Sequence, residues 1–66
     1  MKNRIKVERA EQDETQQDLA EAVGVSRQTI VAIEKGRFIP STLLALKIAR
    51  HFNKPVESIF ILEEGD

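Results

Sequence analysis

The 66-residue chain has no cysteine and only one histidine, His51. Without thiols it can form neither a disulfide nor a thiolate metal site, and one imidazole cannot build a histidine-rich zinc site. No run of about 18 apolar residues occurs, so the sequence offers no membrane-spanning helix. No signal-peptide layout opens it. Missing disulfides also suit a reducing compartment, and together these absences predict a soluble, cytoplasmic protein. Catalytic sets are lacking as well. There is no Ser/His/Asp or Cys/His arrangement, no glycine-rich phosphate loop and no metal-ligand spacing, which predicts a non-enzyme without a cofactor. The core itself is marginal: below about 70–80 residues a single core rarely supplies more than ~3–5 kcal/mol. Dimerisation is one common remedy.

Neither sign of charge dominates. Ten Lys and Arg stand against eleven Asp and Glu, for a formal net charge of −1. That balance argues weakly against nucleic acid, but its distribution argues the other way. Lys2, Arg4, Lys6 and Arg9 crowd the N-terminus. Arg27, Lys35, Arg37, Lys47 and Arg50 dominate residues 27–50, where Glu34 is the only acid. Acids collect at Glu11, Asp13, Glu14, Asp18 and Glu21, and again at Glu57, Glu63, Glu64 and Asp66. This layout predicts a bipolar molecule with a basic face.

What is present is a stretch from Gln16 to Glu34 that reads as two short helices joined by a tight turn. Thr15 can cap the first helix by taking an orphan backbone N–H. Asp18 follows three residues later, close to the capping-box pattern. Leu19, Ala20 and Val23 repeat at helical spacing. Gly24 supplies the left-handed cap, Val25 plugs the corner, and Ser26 caps the second helix. Ile30 and Ile33 then point inward, which leaves the second helix a polar face able to read DNA. Two helices crossing steeply over a glycine-containing turn form a helix-turn-helix. Ala20 must be small where the helices cross, and Val25 and Ile30 must be apolar to set the crossing angle.

The rest of the chain predicts one domain over residues 1–66, with motif helices at about 16–23 and 27–35. A first helix is expected over about 2–12. Arg37-Phe38-Ile39-Pro40 reads as a loop, because proline disfavours a helical residue before it. Ser41 caps a fourth helix running to about residue 52, with Leu44, Ala45, Ile48, Ala49 and Phe52 inward. His51 is expected to face solvent or complement that helix's C-terminus. A short fifth helix spans about 56–60 after Pro55. The tail then breaks the pattern, since Ile59-Phe60-Ile61-Leu62 is a continuous apolar run beside a polar end. Alternatives are a short strand against a two-fold mate, back-packing on the core, and disorder. The strand reading, with Phe60, Ile61 and Leu62 at a dimer interface, is preferred.

Thr15-Gln16, Leu19-Ala20, Gly24-Val25-Ser26, Ile30, Ile33-Glu34, Gly36 and Pro40-Ser41, at their spacing here, resemble the phage-repressor and Cro family. That family is also called the xenobiotic-response-element family, and its small single-domain subgroup is the nearest match. The resemblance implies an all-α, five-helix, lambda-repressor-like domain with a short extended tail. It also implies a homodimeric, sequence-specific repressor of transcription, bound to double-stranded DNA at an inverted repeat. Helix three becomes the recognition helix, with Arg27, Gln28, Thr29, Val31 and Ala32 at base-reading positions. Arg can bond guanine bidentately and Gln adenine, whereas Val31 and Ala32 can offer only a methyl contact. Gln16, Ser26, Lys35, Arg37 and the backbone of Phe38 fall at phosphate positions. Arg9 and Glu34 match a structural ion pair between helices one and three. An antitoxin-like protein that binds both DNA and a protein partner is the alternative reading.

Three residues depart from the family pattern. Glu8 and Glu14 stand where an apolar residue is usual, and Thr42 replaces a common leucine. These positions are therefore expected to be solvated, or the core weakened. An Arg4–Glu8 pair at i, i+4 would add only ~0.3–0.5 kcal/mol.

Overall fold

A computed structural model describes residues Met1–Asp66. Five helices form: α1 (Ile5–Glu11), α2 (Gln16–Val23), α3 (Arg27–Glu34), α4 (Thr42–His51) and α5 (Val56–Ile59). Two short strands, β1 (Lys2–Asn3) and β2 (Phe60–Ile61), complete the chain. Each of the three longer helices starts at a hydroxyl cap. The hydroxyls of Thr15, Ser26 and Ser41 accept from the backbone N–H of Asp18, Thr29 and Leu44. Such caps satisfy donors that a helix cannot satisfy internally.

Ile5, Leu19, Ile30, Ile33, Ile48 and Ile59 are the largest fully buried side chains. They come from all five helices, so burial of each amphipathic face is shared by one centre. Ala20 is fully buried where α2 meets α3. Phe52 and Phe60 are buried in the same cluster.

The N-terminus differs from the sequence expectation, and the tail forms the short strand expected of it but pairs that strand within its own chain. The first helix begins at Ile5 rather than near residue 2, because Lys2 and Asn3 form a strand. That strand pairs antiparallel with the tail, Lys2 opposite Ile61 and Asn3 opposite Phe60. The tail strand therefore takes its partner from its own chain along this edge. Asn3 stabilises the arrangement: its amide donates to the Ile33 carbonyl at 2.9 Å, and its oxygen accepts from the Ile5 N–H at 3.3 Å. A side chain that takes up both groups favours an extended residue over a first helical turn.

Glu8 also departs from expectation. It is only 3% exposed, and its carboxylate accepts from Lys54 Nζ at 2.8 Å rather than pairing with Arg4. Lys54 follows Asn53, whose φ of 56° reverses the chain after α4. Glu14 is mostly buried and lies 2.7 Å from His51 Nε2, so His51 faces the α1–α2 linker rather than open solvent. Thr42 is exposed, as a polar residue there should be.

The Lys54 ammonium is held above its ordinary pKa, chiefly by the hydrogen bond to Glu8. Its contribution is therefore complete at neutral pH and lost only as strongly alkaline pH removes the proton. Glu8 must nonetheless surrender hydration, and an apolar side chain would not. Replacing both members of a buried ion pair by well-packed apolar groups is neutral to stabilising by about 1–4 kcal/mol, and because Lys54 is 42% exposed, replacing Glu8 alone strands no buried charge here. Glu8→Leu should therefore raise the melting temperature, by about 4–8 °C if the gain reaches 1 kcal/mol. Calorimetry at neutral pH measures this, and a lowered melting temperature would show that the Glu8–Lys54 pair contributes net stability.

Candidate nucleic-acid interface

The turn between α2 and α3 is built from backbone constraints. Gly24 has φ of 79°, and its N–H bonds the Ala20 carbonyl at 2.9 Å. The Val25 N–H reaches the same carbonyl at 3.0 Å. A left-handed residue with no Cβ ends α2 there at little conformational cost. Val25 is half-buried against the core. Ser26 then starts α3 with its hydroxyl 3.0 Å from the Thr29 hydroxyl.

Both motif helices are fixed at their first residues. Thr15 and Asp18 form a reciprocal capping box, at 2.9 Å from Asp18 N to Thr15 Oγ1 and 3.0 Å from Thr15 N to Asp18 Oδ2. The hydrogen bond from the Thr15 N–H is the main cause of the lowered pKa of Asp18. A depressed carboxyl pKa lends stability above its unfolded value and withdraws it as the pH falls through the folded one. The cap of α2 is therefore whole at neutral pH and weakens in acid.

On α3, Ile30 and Ile33 are buried, while Arg27 and Gln28 project into solvent with no hydrogen bond or ion pair to their own chain. Thr29, Val31 and Ala32 lie half-buried beside them. The helix ends in a paired reversal. Gly36, at φ of 74°, donates to the Ile33 carbonyl, and Arg37 donates to the Ala32 carbonyl, both at 2.9 Å. This is the Schellman arrangement. Lys35, Arg37 and Phe38 are exposed beyond it, and the Phe38 N–H has no partner within the chain.

The Arg9 guanidinium grips Glu34 with two donors, Nε to Oε2 at 2.7 Å and Nη2 to Oε1 at 3.0 Å. Its remaining Nη1 donates to the Glu14 carbonyl at 2.9 Å. The same Glu34 carboxylate accepts from Gln16 Nε2 at 3.3 Å. Glu34 chiefly, through its hydrogen bonds, raises the Arg9 pKa further. Gln16 sits at the first position of α2, so this cluster joins α1, the start of α2 and the end of α3. The Gln16–Glu34 contact had no signal in the sequence, because eighteen residues separate the pair. No group of His, Cys, Asp or Glu is placed to hold a metal ion. No helix is long and apolar enough to cross a membrane.

A family model described as helix-turn-helix matches residues 5–59, from the start of α1 to the end of α5. The chain belongs to the helix-turn-helix family. Within it, the chain is of the phage-repressor and Cro type that its motif resembles. It is 54% identical to an HTH-type transcriptional regulator of Methanocaldococcus jannaschii, over the full length of both chains. A regulator so named from Bacillus subtilis is 53% identical, over 97% of each chain. One from Archaeoglobus fulgidus is 55% identical, over all of this chain and 93% of its own. Helix-turn-helix geometry here depends on α3 keeping its angle to α2, and Arg9 is central to that.

Removing Arg9 leaves the Glu34 carboxylate largely buried and deprived of its fork. Arg9→Met should cost about 3 kcal/mol, the low end for breaking a buried pair. Urea unfolding would measure it. A loss below about 0.5 kcal/mol would place the pair with ordinary surface ion pairs.

Proposed function

We propose that this chain is a DNA-binding transcriptional regulator that represses by occupying an inverted-repeat operator as a homodimer. The observation that supports this reading most is the start of α3, where Arg27 and Gln28 stand unpaired and exposed beside a doubly capped turn. In the major groove, an Arg fork meets guanine O6 and N7, and a Gln amide meets adenine N6 and N7. Thr29 extends the contact to a base or phosphate, and Val31 and Ala32 offer apolar surface to a thymine methyl. The relatives named above are transcriptional regulators, which agrees with this role.

Phosphates are assigned to groups around that helix. Gln16 has one amide hydrogen on Glu34, and its second is free for a phosphate oxygen beside the start of α2. Ser26, Lys35, Arg37 and the unpaired N–H of Phe38 supply the remaining backbone contacts. Ile61 and Leu62 are the exposed tail residues offered to a second subunit, whereas Phe60 is buried in its own core. A two-fold dimer would set its recognition helices in successive major grooves about 34–36 Å apart. Bound there, it would block polymerase.

Site selection from random duplexes tests the whole reading. A pseudo-palindrome with half-sites about one turn apart is expected; a lone half-site removes the two-fold dimer. If no sequence is enriched, the protein-partner reading takes over. Arg27→Ala should erase preference at one position per half-site and cost ~1–3 kcal/mol per contact. Unaltered preference would strip Arg27 of base reading. Gln16→Ala should weaken every site equally in titrations on the selected and scrambled duplexes, and a change confined to one base would overturn the phosphate assignment.

A further inference from the structure

We propose that a second copy of this chain docks on the outer face of α4, with the two-fold axis passing beside Leu46. The proposal rests on the two-fold reading above and names the surface that joins the subunits. Four large apolar side chains stand open to solvent: Ile39 is 70% exposed, Leu43 65%, Leu46 51% and Leu62 77%. Leu43 and Leu46 lie three residues apart and share one face of α4. Leu46, Ile39 and Leu62 line a shallow groove that Glu57 borders. Leu43 and Leu46 also line the adjoining hollow, with Lys47 and Arg50. Because Leu46 belongs to both depressions, the patch is continuous.

Its size suits a subunit contact. Those four side chains expose on the order of 500 Å², towards the top of the range for the largest apolar patch on a monomer. That is more than half of the roughly 800 Å² each partner contributes to a standard interface. The whole chain exposes only 4525 Å², so roughly a tenth of its surface is concentrated here.

Charge identifies the occupant. Glu57 borders one end of the patch, and Lys47 and Arg50 border the other. None of the three has an ion-pair partner in its own chain. A two-fold axis turns the patch end for end, so an isologous contact lays the acidic end of one copy on the basic end of the other. A second copy carries the required inverse pattern by construction, and an unrelated partner would have to match it independently. Lys47 and Arg50 thereby gain a role at the subunit contact, and the tail contributes through Leu62.

The test is sedimentation of the full-length chain over a range of concentrations, with far-UV circular dichroism to verify folding. All the altered side chains are exposed, so helical content should be retained. The double variant Lys47→Glu/Arg50→Glu makes both ends acidic, and Glu57→Lys makes both basic. Each variant alone should weaken self-association at least about tenfold through like-charge contact. An equimolar mixture should associate again as a heterodimer, and Leu46→Asp should remain monomeric with either. A wild-type dimer matched by dimeric charge variants, or by a mixture no tighter than its components, overturns this face while leaving the two-fold reading intact. A wild-type chain that stays monomeric at every concentration, even on the selected duplex, overturns both.

Discussion

The Arg9–Glu34 fork is the constraint on which the arrangement of the motif depends. Hydrophobic burial holds α1, α2 and α3 together but is non-directional. A guanidinium on a carboxylate admits one geometry, and here all three Arg9 donor nitrogens are used, two on Glu34 and one on the Glu14 carbonyl. The pair fixes the end of α3 relative to α1. The Gln16 amide adds the start of α2 to the same carboxylate. Opposite ends of the two motif helices are therefore held at one point, and Gly24 sets the other.

A second set of polar contacts works between α1 and the end of α4. Glu8 meets Lys54, and Glu14 meets His51. Each acid lies on or just after α1, and each base lies on the last residue of α4 or in the turn after it. Two positions that would ordinarily hold apolar contacts thus hold polar pairs instead. One Glu14 oxygen is left buried without a partner, which marks this edge as the less well satisfied side of the molecule. The stronger geometry stays with Arg9, on the side that orients α3.

The helices and the family were legible because their signals are local. Hydroxyl caps, Gly24, Gly36 and the apolar spacing of α2, α3 and α4 each act within one or two turns, and the residue ranges of these helices are close to those expected. What was not legible required distant partners. Lys2 and Asn3 become a strand only because Phe60 and Ile61 arrive beside them. Glu8 looked solvated because its partner, Lys54, is 46 residues away. His51 likewise finds Glu14 across 37 residues. Around the candidate interface, exposure of Arg27 and Gln28 follows from α3 periodicity, but the hydrogen bond that orients Gln16 does not. The free N–H of Phe38 follows only once the α3 reversal is seen to use the N–H groups of Gly36 and Arg37.

The shortness of the proposed reading surface gives the proposed two-fold arrangement an energetic reason. Only Arg27 and Gln28 on α3 carry exposed side chains able to make a bidentate base contact. At about 1–3 kcal/mol of discrimination for each such contact, one subunit reading DNA as proposed would command roughly 2–6 kcal/mol. Specific sites are typically favoured over other DNA by about 4–10 kcal/mol. A single copy reaches only the lower part of that range, and two copies on an inverted repeat double the number of contacts. The extra contacts count only if the second α3 is held in register by the first. That calls for a subunit contact with one defined geometry, which a patch of fixed polarity around Leu46 can provide and a purely apolar one cannot. The same argument that makes Arg9–Glu34 necessary within a subunit, direction added to burial, would then apply between the proposed subunits.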